Sequence, residues 1–458
     1  MTGNSGQVRV DSFLTAVSSK PVESGKTHEL SALDHAMGVH TLHLVFYYKK
    51  KPFQHFDLDP LRVSLSEVLS LYPAVTGRLT RNGKTGNWEV KCNDAGVRVV
   101  RAEVGTTIDE WLRSAQGLEE KDLTVWEEMP EDPSNWSPFR IQVNEFEGGG
   151  LAIGISCTHM HADPTSIILL FKSWIETHLK EPIEHPPLFQ THTVHGQGLP
   201  ETNTKFIGYY TSKANAQAPS VKMATATFKF SNSTIKQCLD EVDDECPNAS
   251  PFDLLAALFW TCVTRLKGPK NDHEHSISVV LDSRRLVQPP LPLGYFGNAL
   301  HFSQLSLTRE EMDCSKLGQV VAMVHRHVSE VGKEEVESVI QWHESRKEEG
   351  GKYAPPFKMY GPELTCVSME HMIVGHTSVM YAATFEETEK PLHVSCHVGN
   401  VEGEGLIMVM PSLEEGLART VMVTLPEEEM AKLLEDHAIM RLQPTMLLNG
   451  GTKNGMEL

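Results

Sequence analysis

Two histidines and an aspartate, His159, His161 and Asp163, stand together in the stretch LAIGISCTHMHADPTSIILL, residues 151–170. The apolar run before them reads as a buried strand, and the apolar run after them as a helix. Titratable groups at a strand-helix joint sit on rigid supports at a concave rim, where α/β proteins place chemistry. A neutral imidazole there can take a proton near pH 7, so His159 is a candidate general base. Asp163 admits two readings. It could brace the turn below the histidine, or cap the following helix, with Pro164 at the first helical position. His161 would share a face with His159 if the strand continued, which makes a metal pair conceivable, although no third ligand of defined spacing accompanies it. Ser156 and Cys157 precede the histidines without the closing glycine of a nucleophile elbow. Cys157 has no flanking positive charge to lower its pKa and reads as core.

A second dense stretch runs from Asp282 to Asn298, DSRRLVQPPLPLGYFGN. Arg284 lies just past a strand end, where a guanidinium can clamp a carboxylate through two parallel hydrogen bonds. The prolines and glycines that follow equally suit a rigid turn.

The elements that must position these groups alternate along the chain. Strands are expected at 7–15, 41–48, 88–90 and 97–100, and a hairpin at 139–157 turns at Gly148-Gly149-Gly150. Helices are expected near 58–69, 108–115 and 165–179. From about 181 to 221 the periodicity fails, and His192 and His195 read as loop residues. Stretches of that length without period are uncommon inside one domain, so this one is expected to be an interdomain crossover. The pattern then restarts with a strand at 224–230 and helices at 233–239 and 250–266.

The chain has 458 residues, too many for one core, so two domains are expected. Its 41 basic and 60 acidic side chains leave a formal charge of −19, which argues against non-specific binding to nucleic acid or anionic lipid. The eight cysteines are scattered and form no CxxC pair, as expected of reduced thiols in a cytosolic compartment. The opening MTGNSGQVRV lacks the charged and apolar regions of a signal peptide, and no apolar run is long enough to span a bilayer.

In this order and at this separation, the two stretches resemble the plant BAHD acyl-CoA-dependent acyltransferases. The likeness covers nearly the whole chain: Leu33-Asp34, Tyr72-Pro73 to Leu79, Cys92 to Val97, Ser137-Pro138, Ala256 to Trp260 and Pro289 to Asn298 all match landmarks of that family. The resemblance implies an α/β fold of two pseudo-equivalent, chloramphenicol-acetyltransferase-like domains with mixed sheets and a channel between them. Residues 1–185 would form the domain carrying His-x-x-x-Asp, 186–222 a long crossover loop, and 223–458 the C-terminal domain. It further implies His159 as general base, with Asp163 turned away from substrate into a structural pair with Arg284. Acyl-CoA would be the co-substrate and a small hydroxyl or amine compound the acceptor, with no bound cofactor and no metal. The protein would be a cytoplasmic monomer, at most peripheral to the endoplasmic reticulum.

Three positions depart from the family pattern. Pro164 replaces the glycine after the aspartate, Val367-Ser368-Met369 replaces Thr-Ser-Trp, and Phe385-Glu386-Glu387-Thr388-Glu389 replaces Asp-Phe-Gly-Trp-Gly. These departures resemble the eceriferum branch, whose members keep the fold and act as accessory factors to fatty-acid elongase condensing enzymes in wax synthesis. A non-catalytic partner of an elongase is therefore the alternative expectation.

Overall fold

The computed structural model describes residues 7–23, 25–50, 58–189, 204–216, 220–267, 274–385 and 389–451. His192 and His195 of the crossover, and Glu386 to Thr388, lie outside those residues.

Six strands form a first mixed sheet in the order Val8–Ala16, Val97–Val104, Phe139–Phe146, Leu151–Thr158, Thr41–Tyr48, His393–Val398. Two of its strands, TLHLVFYY and LAIGISCT, are buried along their whole length. That explains their continuous apolar and aromatic character, since a strand covered on both faces has no solvent side to alternate with. The helix Pro164–Leu179 packs on this sheet through Ile167, Ile168, Phe171, Trp174 and Ile175, all buried at helical spacing. Phe171 stacks on Phe46 of the Thr41–Tyr48 strand with ring centroids 4.0 Å apart. The helix ends at Lys180, which adopts the left-handed conformation (φ 61°).

A second mixed sheet of seven strands runs in the order Leu300–Thr308, Glu274–Asp282, Leu364–Ser368, Leu406–Pro411, Arg419–Pro426, Met223–Phe230, Thr445–Leu447. The helix Pro251–Lys267 is buried from Pro251 to Trp260 and forms the centre of the second core. Two further helices, Leu317–Glu330 and Lys333–Ser345, are separated at Val331-Gly332.

Two features differ from the sequence expectation. First, the stretch that looked aperiodic contains a helix, Thr204–Asn215. Its inward positions include Tyr210 and Lys213, 1% and 3% exposed. A lysine on the buried face hides the helical period from a reading based on apolar residues. Second, His393–Val398 belongs to the second half of the chain but pairs antiparallel with Thr41–Tyr48. Its polar face, His393, Ser395 and His397, meets a buried group at the back of the first sheet. There His397 bonds Glu120 at 2.5 Å, and Tyr47 donates to Glu120 at 2.6 Å.

Candidate functional site

The joint at 158–164 holds three side chains on three different tasks. Asp163 caps the following helix: its Oδ1 accepts from the Ser166 N–H at 2.9 Å. It also faces Arg284, whose Nη1 lies 2.8 Å from Oδ2 and whose Nη2 donates to Oδ1 at 3.0 Å. Both expected roles of Asp163 thus coexist. The carboxylate accepts a further N–H from Ala299 at 3.1 Å. The Arg284 guanidinium and these donors hold the Asp163 carboxyl below its usual pKa despite complete burial.

Arg284 has a second carboxylate partner, Asp282, and donates to the Tyr295 carbonyl at 3.0 Å. Arg285, next to it, is exposed. The pair Asp163–Arg284 joins the helix of the first layer to the strand end of the second. Gly297, at φ 146°, lets the chain turn so that its N–H reaches the Ser166 hydroxyl at 3.2 Å. Asn298 then donates to Asp34 Oδ1 from both its backbone N–H (2.9 Å) and Nδ2 (2.8 Å), and Nδ2 also donates to the His159 carbonyl at 2.7 Å. The landmarks Leu33-Asp34, His-x-x-x-Asp and the Pro289–Asn298 tract therefore converge on one cluster.

His161 does not join His159. Its Nδ1 is 2.7 Å from the Thr158 hydroxyl and its ring meets Phe139 edge-on at 5.6 Å. Burial pushes its pKa down to about 3. Among the described residues no group of three His, Cys, Asp or Glu could hold a metal ion. Ser156 donates to the Val125 carbonyl, and burial raises the Cys157 thiol well above its usual range.

His159 is 0% exposed. Its N–H donates to the His40 carbonyl at 2.9 Å. The nitrogen expected to face a channel, Nε2, lies 3.0 Å from the Tyr360 hydroxyl, and the two rings stack at 5.6 Å with 28° between their planes. Burial raises the Tyr360 pKa far above its usual value, so its O–H keeps its proton and can donate to Nε2 or accept from it, according to the His159 tautomer. With Tyr360 as the donor, the ring proton of His159 is on Nδ1, which meets no well-formed hydrogen-bond partner among the described residues and lies beside the His159 and Ala162 backbone. Burial also lowers the His159 pKa, so the imidazole is neutral.

Tyr360 is itself fixed. His40 Nδ1 bonds the Gly399 carbonyl at 3.0 Å, which leaves Nε2 to accept the N–H groups of Met359 (3.0 Å) and Tyr360 (3.4 Å). The next residue, Gly361, has φ 101°, and a Cβ there would lie 2.0 Å from the Glu402 carbonyl oxygen. The tract after Ser368 folds over the same region. It forms short 3₁₀ turns at Glu370–Met372 and Val379–Tyr381 around a two-residue hairpin. It is pinned by Glu370 to Arg419 (2.6 Å) and by His371 to Thr165 (2.7 Å). His371 also stands 3.6 Å from Asp282, beside the Arg284 cluster. Phe385, from the altered motif, is buried edge-on against Tyr48 at 5.0 Å.

Sequence reasoning placed His159, Asp163 and Arg284 but missed Tyr360, His40, Asp282 and His371. Tyr360 sits in a Lys-Met-Tyr-Gly-Pro run that reads only as a turn. No local signal ties it to a histidine 201 positions away.

The sequence model of the Transferase family matches residues 8–440. The chain belongs to this family, the BAHD acyltransferases. Among relatives of this family member, Protein ECERIFERUM 26-like of Arabidopsis thaliana is 26% identical over 434 residues, covering 94% of this chain and 95% of the relative. A hydroxycinnamoyltransferase of Narcissus pseudonarcissus is 26% identical over 400 residues, covering 85% and 89%. Vinorine synthase matches in structure with a TM-score of 0.71 at 19% identity, covering 95% of this chain and 98% of that one. The last likeness establishes the two-domain acyltransferase fold.

Proposed function

We propose that this family member works by binding rather than by turnover, as an eceriferum-type accessory factor to a fatty-acid elongase condensing enzyme. The observation that carries this reading is the closure of His159. A general base must meet its proton at hydrogen-bond distance, and the position beside Nε2 is taken by Tyr360. Neither of two cavities of about 210 and 290 Å³ beside the Thr204–Asn215 helix reaches His159. Both are lined by carboxylates, Glu330 and Glu335 in one and Glu274, Glu363 and Glu404 in the other. The first of these walls, without lysine or arginine among the described residues, disfavours the phosphates of CoA; the second also carries Lys267, whose ammonium pairs with Glu404 and Glu429. The likeness to ECERIFERUM 26-like points the same way. No helix among the described residues is long and apolar enough to cross a membrane. A peripheral place at the endoplasmic reticulum, through the elongase, follows from this reading.

A second reading is acyl transfer from acyl-CoA to a hydroxyl or amine. It is favoured by the intact Asp163–Arg284 pair and by Asn298 on the His159 carbonyl. In it Tyr360 swings aside and the acceptor gives its proton to His159 Nε2 as it attacks the thioester carbonyl. The carbon–sulfur bond breaks, and the departing thiolate takes the proton back. Assay of free thiol release from acyl-CoA with hydroxyl and amine acceptors separates the two. The accessory reading expects no release above that of His159→Ala. Turnover lost in His159→Ala would establish the second reading.

A further inference from the structure

A cavity of about 210 Å³ opens between the helix Thr204–Asn215, the edge strand Leu300–Thr308 and the facing ends of Leu317–Glu330 and Lys333–Ser345. One wall is aromatic: Phe206, Tyr209, Tyr210 and Phe302. The opposite side carries the carboxylates of Glu330 and Glu335. Among the described residues no lysine or arginine lines it; the His327 ring does, with its Nε2 2.9 Å from the Ser303 hydroxyl. The aromatic wall is rigid. Tyr210 accepts the Phe302 N–H at 3.0 Å, and the Tyr209 hydroxyl lies 2.6 Å from that of Ser278 and donates to Glu363 at 2.8 Å. Glu335 bonds His301 at 2.9 Å, whereas the Glu330 carboxylate has no partner among the described residues.

We infer that this cavity is a binding site for a small organic cation, an amine or ammonium compound with an apolar body. Ring faces attract a cation through their quadrupole, and a nearby carboxylate adds direct attraction. Two of the rings already do this for the protein's own ammonium. Lys213 Nζ lies 5.5 Å from the Tyr209 centroid and 5.8 Å from that of Phe302 while pairing with Glu363. An anionic ligand meets two carboxylates, and the nearest ammonium, Lys213, is already paired with Glu363. A long acyl chain exceeds the volume, since drug-sized sites run from about 300 Å³ upward. The site is distinct from the His159 joint: Phe302 stands between them, edge-on to Tyr360 at 5.3 Å. It therefore stands whether or not His159 is catalytic.

The test is a calorimetric titration of the full chain at pH 7 and low salt with three probes of one shape: phenethylammonium, 2-phenylethanol and phenylacetate. The expected result is binding of phenethylammonium alone, weakened about tenfold in Glu330→Gln, a change of about 1.4 kcal/mol. Glu330 is exposed, so this variant leaves the fold intact. Binding of the alcohol as tight as that of the ammonium would overturn the assignment, as would binding of phenylacetate. So would no binding by any probe, or an unchanged affinity in Glu330→Gln.

Discussion

Replacing Arg284 with alanine removes the guanidinium that lies between two buried carboxylates. Arg284 is 1% exposed, and the side chains of Asp163 and Asp282 are 0% and 5% exposed. Breaking a buried pair by deleting one partner costs about 3–5 kcal/mol, because a charge is left uncompensated. Asp163 retains the N–H groups of Ser166 and Ala299, and Asp282 retains the Arg284 backbone N–H at 3.0 Å. These donors hold the loss near the lower end, about 3 kcal/mol. The loss should also depend on pH. In the native chain the Asp163 pKa is lowered, so its contribution is present above the unfolded value and fades as pH falls through the folded one. In Arg284→Ala burial is opposed only by the Ser166 and Ala299 N–H groups, so that pKa rises above its native value. The variant's deficit is then greatest at neutral pH and shrinks as pH falls toward 4. Urea unfolding of both proteins at several pH values reads this out, and effects common to both cancel in the difference. A deficit under about 1 kcal/mol, or one constant between pH 7 and 4.5, would refute the assigned role of the pair.

Three further outcomes are expected. His40, His43, His161, His343 and His393 are buried with pKa values pushed down to about 3. Their folded values lie below the unfolded value, so stability is full above pH 6.5 and falls as pH drops from there. At pH 5 each costs about 2 kcal/mol, so thermal melts should collapse by that pH; a melting temperature flat from pH 7 to 5 would contradict this burial. Tyr360→Ala should make His159 react with diethylpyrocarbonate, read by peptide mass spectrometry, while the native chain leaves it unmodified; a fast native reaction would mean His159 is open. His40→Leu removes the acceptor for the Met359 and Tyr360 N–H groups, so His159 should gain intermediate reactivity in a still-folded chain; no gain would mean the 358–361 segment holds without it.

How far the sequence reaches depends on the range of the signal. The Pro164–Leu179 and Pro251–Lys267 helices were legible because their apolar residues and caps are local. Asp163 and Arg284 were legible as two spaced motifs, although only the three-dimensional arrangement shows Asp163 both capping a helix and bridging the layers. The entry of His393–Val398 into the first sheet was not legible. Its alternation suits either sheet, and the choice rests on Glu120, far away in sequence. The Thr204–Asn215 helix escaped because its buried face includes Lys213, whose charge is matched by Glu363. Tyr360 escaped for a related reason. Its contacts with His159 and His40 are all long-range, and a tyrosine in a glycine-proline turn has no distinguishing pattern.

The most direct test of the accessory reading is elongation by a condensing enzyme reconstituted with the native chain or with His159→Ala. The account predicts the same long-chain products at the same rate from both. Loss of those products with His159→Ala, in a chain that remains folded, would contradict it and return His159 to the role of base.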